Sequence, residues 1–480
     1  MKSLYKKRTP FFYRLRIAIY FLLISSAAFC QNVDGIVTDE DGGPLPGATI
    51  VIKGTNTFAV TDVDGKFTIR ALKTFPFTLQ FRILGYRSQQ VEVYELSADP
   101  LEITLSNDNL LDAITVTARR RSEISTDVPI PVSIVNGAQI EDGGAFNVNR
   151  VKELIPSVQL YSSNPRNTAL NVRGLGTTFG LTNDGIDPGV GFYVDGVYYA
   201  RPAAATLDFI DVERIEVLRG PQGTLFGKNT TAGAFNITTR KPSFDTDGTL
   251  EVSYGNLGYL QVRSSLTGKL TKKLAGRISF TGTHRDGTLY NVARNEDVNT
   301  LNNTGVRGQL LYTPTDNVEI IFAADATRQR PVGYAQVVAG VVPTQRPDYR
   351  QFNSIIADLG YSLPSANPFD RLIDHDTPWR SDNDLGGLSV NVDAKLGQGT
   401  LSSTTAWRYW NWDPSNDRDF TGLQALSRSE GTSRHYNWSQ EVRYAGDLTS
   451  SISVVGGVYA IGQVLNTDPV HTEESGSAQW

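Results

Sequence analysis

Cysteine is almost missing from this chain: 480 residues contain one, Cys30. Disulfide frameworks, cysteine zinc sites and thiol nucleophiles are therefore excluded for the rest of the sequence. Histidine is scarce too, at four residues, which leaves little material for a histidine metal centre. No apolar run reaches the roughly 20 residues that a spanning helix needs. Surplus positive charge is also absent. The formal charge is −5, although the first thirty residues hold six basic groups (Lys2, Lys6, Lys7, Arg8, Arg14, Arg16) and no acid. The remainder is more acidic still, which argues against nucleic acid as a partner. Glycine (44), tyrosine (20) and phenylalanine (21) are plentiful, and 40% apolar against 20% charged residues excludes wholesale disorder. The balance is that of a mainly β, turn-rich protein.

Residues 1–30 read as a secretory signal peptide: a basic start, the apolar run Ile17 to Ile24, then small residues. Ala28 and Cys30 stand at the −3 and −1 places of a cut before Gln31, and bulky Phe29 fits lipid attachment at Cys30 poorly. Residues 31–106 alternate short β-type runs with Asp-Gly, Gly-Pro and Pro-Gly breaks, as a small β-sandwich does. Asp62-x-Asp64-Gly65 invites a calcium reading, but a third oxygen ligand and the later Glu of a calcium loop are missing. Asp64-Gly65 is read as a hairpin turn between Val60 to Val63 and Lys66 to Ile69. The strings G-x-V-T-D-x-x-G-x-P-L-P-G-A and T-D-x-D-G-K-F here resemble the carboxypeptidase-regulatory-like domain that precedes many outer-membrane receptors.

Residues 107–119 form a linker around Asp112, Ala113, Ile114, Thr115, Val116, Thr117 and Ala118. This β-prone heptad is either one more edge strand or a free strand offered to a partner's sheet, where main-chain hydrogen bonds supply the affinity. Its place between two compact segments favours the second.

Residues 120–242 read as mixed α/β. A short helix is expected at Val151 to Ile155, ending before Pro156. Strands are expected at Ala169 to Val172, Val190 to Val194, Arg214 to Leu218 and Ala234 to Thr238. Neither Gly174 to Gly180 nor Gly223 to Asn229 has the glycine spacing of a dinucleotide or phosphate loop. The run Glu213 to Gly227, continuing to Pro242, instead closely resembles the plug of TonB-dependent outer-membrane receptors. Asn171 to Gly176 and Val190 to Val197 do so as well. The resemblance implies that Asp112 to Ala118 is the TonB box and that the opening domain is a periplasmic extension. Glycan importers of the family carry V-L-K-D-A-S and I-L-I-T-T-K blocks here. This chain has V-L-R-G-P-Q and N-I-T-T-R, which resembles the iron-chelate branch.

From 243 to 480 apolar residues recur at period two, as in Val318/Ile320/Phe322/Ala324. Nine strands are expected, near 248–254, 257–268, 273–284, 303–313, 317–328, 386–396, 399–410, 434–446 and 451–462. Most have a length that crosses a bilayer at a tilt, and short turns interleave with the long linkers 285–302, 329–385 and 411–433. Trp407, Tyr409, Trp410 and Trp412 read as an interfacial aromatic girdle. A soluble sandwich would not predict loops that are long on one side only. Nine strands cannot close around a plug, for which about 22 are used, so the reading is a partial antiparallel transmembrane barrel.

In strand 434–446 the alternation turns Tyr436, Trp438, Val442 and Tyr444 to lipid and Glu441 to the lumen. Family resemblance supplies Arg173 and Arg219 as plug partners for Glu441. The long linkers, with plug loops 161–170 and 176–189, are expected to form an outer vestibule. Tyr334, Arg346, Tyr349, Arg350, Trp379 and Arg380 there suit anionic, catechol-like chelates. The resemblance implies TonB-dependent uptake across the bacterial outer membrane, of a ferric siderophore or similar iron chelate. Its expected partners are a TonB-type inner-membrane protein, outer-membrane lipid and a small-molecule ligand. The alternatives are a glycan or other nutrient importer, or a surface-binding barrel without transport. No cofactor, metal ligand or catalytic residue is assigned, and an enzyme ranks behind both.

Overall fold

The computed structural model describes residues 32–474 except 41, 56, 71–74, 84–85, 87, 96–98, 106–114, 118, 122, 125–127, 145–146, 178–184 and 450. The expected signal peptide lies outside the described residues. The chain divides into two compact units, Met1–Ile114 and Thr115–Trp480.

The first unit packs two sheets face to face. One orders Lys66–Arg70, Asn32–Thr38 and Leu101–Thr104; the other orders Phe58–Val60, Thr49–Ile52, Phe77–Arg82 and Gln89–Val93. Alternation puts Val37, Ile50, Ile52, Ile69, Leu79 and Phe81 wholly inside. The Asp64-Gly65 turn is not the hairpin expected, because its flanking strands belong to different sheets. Local chemistry explains it: the Asp62 carboxylate accepts the N–H groups of Asp64 (3.0 Å) and Lys66 (2.8 Å), closing the turn by itself. Gly65 adopts φ +73°, and a Cβ there would lie 2.5 Å from the Val37 carbonyl oxygen. Only glycine fits this join between the sheets.

The second unit opens with an α/β plug. A five-stranded sheet runs Val132–Asn136, Val212–Arg219, Gly233–Thr239, Val190–Val194, Val197–Tyr198, and a smaller one joins Val158–Ser162, Thr168–Val172 and Leu175–Gly176. The expected strands are all present. The short helix is Val148–Val151 rather than 151–155, because the Asn147 side chain caps it by accepting the Arg150 N–H. A second helix, Gly137–Asp142, begins at a capping box of Asn136 and Gln139.

Nine long strands follow as an antiparallel meander: Asp247–Tyr254, Leu260–Thr271, Leu274–Arg285, Leu301–Thr315, Val318–Gln329, Arg380–Leu396, Gly399–Asn416, Ser433–Thr449 and Ile452–Thr467. Each pairs with the next, and among the described residues the first and last of these strands do not pair with each other, so the sheet is open. One face carries exposed apolar side chains such as Leu266, Ile278, Leu310, Phe322 and Trp438. The other carries Thr281, Thr283, Asn303, Arg307 and Ser439, buried although polar. An apolar outside and polar inside is the inverse of a soluble sandwich and suits a lipid surround. Among the described residues no helix is long and apolar enough to cross a membrane.

The aromatic cluster divides by the same alternation. Trp407 is exposed and stacks on Tyr436, as a girdle residue would. Trp410 and Trp412 face inward instead, donating to Asn383 Oδ1 (2.7 Å) and Ser381 Oγ (2.8 Å). They lie an odd number of residues along the strand from Trp407, so they cannot share its face.

Candidate functional site

The plug meets the barrel wall through charges, and their signs are arranged in a way the sequence reading did not anticipate. Two plug aspartates sit in left-handed turns, Asp195 (φ +50°) and Asp211 (φ +55°), a conformation that aspartate tolerates better than most residues. The Asp195 carboxylate is oriented by the Thr239 N–H and hydroxyl, both at 2.8 Å, and accepts from Arg307 of the wall. Arg307 also donates to Asp325 at 3.0 Å, and Asp325 takes a two-point contact from Arg408 at 2.6 Å for each bond. The Arg408 guanidinium lies 4.3 Å from the ring centre of plug Tyr199. Arg277 of the wall grips Asp211 by two nitrogens, one at 2.8 Å. A third plug carboxylate, Asp208, accepts from wall Thr283 (2.8 Å) and Asn303 (3.1 Å).

Glu441 faces the lumen side, as its strand alternation requires, but its partners are not Arg173 or Arg219. It pairs with Arg443, two residues along its own strand, and with Arg120 at 3.7 Å. Arg173 is exposed in a left-handed turn (φ +55°), and Arg219 donates to the Pro131 carbonyl (3.4 Å). The physical reason is position. Arg120 follows the linker and is buried against the Phe226 and Tyr193 rings, where Glu441 offers a countercharge. Plug–wall contacts therefore depend mainly on plug carboxylates and wall arginines, the reverse of the expected polarity. A signal existed: Arg277, Arg307, Asp325 and Arg408 are charges at inward-facing positions of strands with apolar outward faces.

Of the heptad, Asp112, Ala113, Ile114 and Ala118 lie outside the described residues. Thr115–Val116 forms a two-residue strand with Glu123–Ile124. Val116 is fully buried beside Val128, Leu218 and Phe226, so this half is not the exposed linker expected. Thr117 is held by Glu216, a wholly buried carboxylate that accepts the Thr117 N–H (3.1 Å) and hydroxyl (3.1 Å) as well as Arg214 (2.9 Å).

The six vestibule residues do not form one cluster. Trp379 is buried and donates to His375 Nδ1 (3.1 Å), and Arg380 pairs with Asp413 (3.0 Å). Trp379 packs in a loop core with Ile373 and Phe420, whereas Arg380 is exposed and its pair bridges two adjacent strands. Arg346, Tyr349 and Arg350 are exposed on the 329–385 linker. Tyr334 lines a cleft of about 370 Å³ with Arg285, Asn299 and plug residues Tyr161 to Ser163. Sequence reasoning missed Arg285 and Tyr161, which only the docking of plug loop on barrel loop brings together.

In the same outer loops Asp417 accepts the N–H groups of Phe420 (2.7 Å) and Asp376 (3.1 Å). Burial, then the charge of Asp419, pushes the Asp417 carboxyl up to about 7. A carboxyl raised in the folded state holds its proton there, so order in this loop is greatest at low pH and weakens as pH rises from about 4 to about 7. Limited proteolysis after residue 417 is expected to be faster at about pH 8 than at about pH 5. Asp417→Asn is expected to flatten that difference; an unchanged pH profile in the variant would refute the assignment.

Two family descriptions match the chain: the TonB-dependent Receptor Plug Domain over residues 125–234 and the CarboxypepD_reg-like domain over residues 33–116. It is 24% identical to TonB-dependent receptor SusC of Bacteroides thetaiotaomicron, over 95% of this chain and 47% of that protein. It is 27% identical to the pesticin receptor of Yersinia pestis, over 38% of this chain and 27% of that receptor. The ferric yersiniabactin uptake receptor FyuA from Yersinia pestis superposes with a TM-score of 0.61 at 20% identity, covering 75% of this chain and 52% of that one. The pyoverdine receptor FpvA from Pseudomonas aeruginosa gives 0.55 at 13%, covering 73% and 48%. The chain spans about half the length, or less, of these relatives. Residues 125–234 are thus a plug domain of the TonB-dependent receptor type, and the strands that follow share the fold of such receptors' barrels.

Proposed function

We propose that this receptor imports a ferric siderophore or similar iron chelate, with energy delivered by a TonB-type protein at Asp112 to Ala118. On this reading the opening domain is periplasmic and the protein is a transporter rather than an enzyme. The observation that carries the ligand reading is the outer cleft between plug and barrel loops, where Arg285, Tyr161 and Tyr334 converge. A guanidinium beside aromatic faces suits a ligand that is both anionic and aromatic. The V-L-R-G-P-Q block in the plug supports the same branch. So do two similar proteins, whose names identify them as receptors for ferric yersiniabactin and pyoverdine.

The test is growth of a receptor-deleted strain on single ferric chelates as the iron source, with the gene restored or absent. Restored growth on at least one chelate, lost again when TonB is removed, is the expected result. Growth restored only on an oligosaccharide would establish the nutrient-importer alternative instead.

A further inference from the structure

The wall charges have an arrangement that the plug conceals. Directly opposite cross-strand partners run Ser279, Arg307, Asp325, Gly387, Arg408, one row across five strands. Arg277 lies one inward position below, opposite Gln309. Gly387 belongs to the row because of its neighbour: a Cβ there would stand 2.8 Å from Arg408 Cδ. Its missing side chain is the space through which Arg408 reaches Asp325.

Within this belt three arginines face one carboxylate. All three are nearly inaccessible in the resting molecule, with 6–7% of each side chain exposed. The plug supplies the remaining countercharge: Asp195 against Arg307, and Asp211, shared with the plug's own Arg240 at 3.6 Å, against Arg277. The wall is nonetheless satisfied in part without the plug. Arg307 keeps Asp325 at 3.0 Å, and Arg408 keeps both of its bonds to the same carboxylate. Displacing the plug therefore leaves no orphaned wall carboxylate, but exposes a belt with two net positive charges. A polar cavity of about 1,030 Å³ already extends below it, lined by Asp195 and Arg307 at its inner end and by Asn391, Ser402 and Thr404 along the wall.

We infer that Arg277, Arg307 and Arg408 form an anion-selecting belt inside the barrel, masked at rest by the plug carboxylates Asp195 and Asp211. The plug aspartates hold the places that a carboxylate or phenolate-bearing solute takes during passage. Arginine suits the task because its charge is permanent and its planar fork meets carboxylates at two points. A low-dielectric wall magnifies such a field, so the belt favours anions over neutral or cationic solutes. This inference rests on the transport reading above and names the charge class of the solute.

The test places a form of the receptor whose barrel is closed in planar lipid bilayers under a potassium chloride gradient, with urea on the plug side to loosen the plug. Neither TonB nor a chelate is needed, so failure of the uptake experiment and failure of this one are separate results. The Arg277→Gln, Arg307→Gln, Arg408→Gln triple variant is expected to shift the reversal potential from the chloride side toward potassium. Arg307→Gln alone leaves the Asp325–Arg408 pair whole, so its insertion is secure, and it gives a smaller shift in the same direction. Asp195→Asn keeps the belt intact and is expected to conduct at lower urea with the wild-type reversal potential. Identical reversal potentials in wild type and both arginine variants would overturn the belt. An unchanged urea requirement in Asp195→Asn would overturn the masking.

Discussion

Replacing Ile114 by proline is expected to reduce TonB-driven uptake to background while surface binding of the chelate stays at the wild-type level. Proline removes a main-chain donor and fixes φ, so a segment that works by adding a strand to a partner's sheet loses a ladder bond at its centre. Side-chain identity matters far less in that mode, and Ile114→Ala is expected to retain uptake. Position makes Ile114 the informative site. Two residues later Val116 is wholly buried in the plug, and Thr117 is bound by Glu216. Proline at Val116 would remove core packing as well as a donor, and any loss would then have two causes. Uptake that survives Ile114→Pro would eliminate Asp112 to Ala118 as the point of energy input.

Where a residue's surroundings come from its own strand and immediate neighbours, the sequence was readable. All nine barrel strands lie where alternation placed them, and Tyr436, Trp438 and Glu441 face the sides that their parity assigned. The plug strands and their glycine-bearing turns are equally local. What went unread depends on which surfaces dock. Glu441 was given partners from family pattern, yet beside its strand neighbour Arg443 the plug-side cation that meets it is Arg120, 321 residues earlier in the chain. Asp325 was marked by its inward parity, but nothing local tied Asp195 or Asp211 to the wall arginines until plug and wall were brought together. Trp410 and Trp412 misled for a related reason. Aromatic clustering is visible in sequence, but two of the four rings are plug-facing core rather than membrane girdle. The Asp64-Gly65 turn shows a subtler limit: its turn chemistry was legible, but not that it crosses between two sheets.

Asp325→Ala and Asp195→Ala remove one carboxylate each from the same network, and their costs are expected to differ sharply. Asp325 is the carboxylate that holds Arg408, whose side chain is 6% exposed. Its removal leaves a buried guanidinium covered by the Tyr199 ring but without a countercharge, and breaking such a pair costs about 3–5 kcal/mol. Arg307 loses its wall partner in the same step. Asp195→Ala, in contrast, leaves Arg307 bound to Asp325 at 3.0 Å. What it forfeits is the plug side: the Thr239 N–H and hydroxyl lose their acceptor, a cost of about 1–3 kcal/mol. The temperature at which the detergent-solubilised receptor loses its compact electrophoretic mobility separates the two. Asp325→Ala is expected to lower it well below the Asp195→Ala value, and Asp325→Asn, which keeps one acceptor oxygen, should fall between them. Equal losses from the two alanine variants would mean that Arg307 and Arg408 depend on the plug as much as on the wall. The barrel would then have no charge arrangement of its own to present when the plug moves.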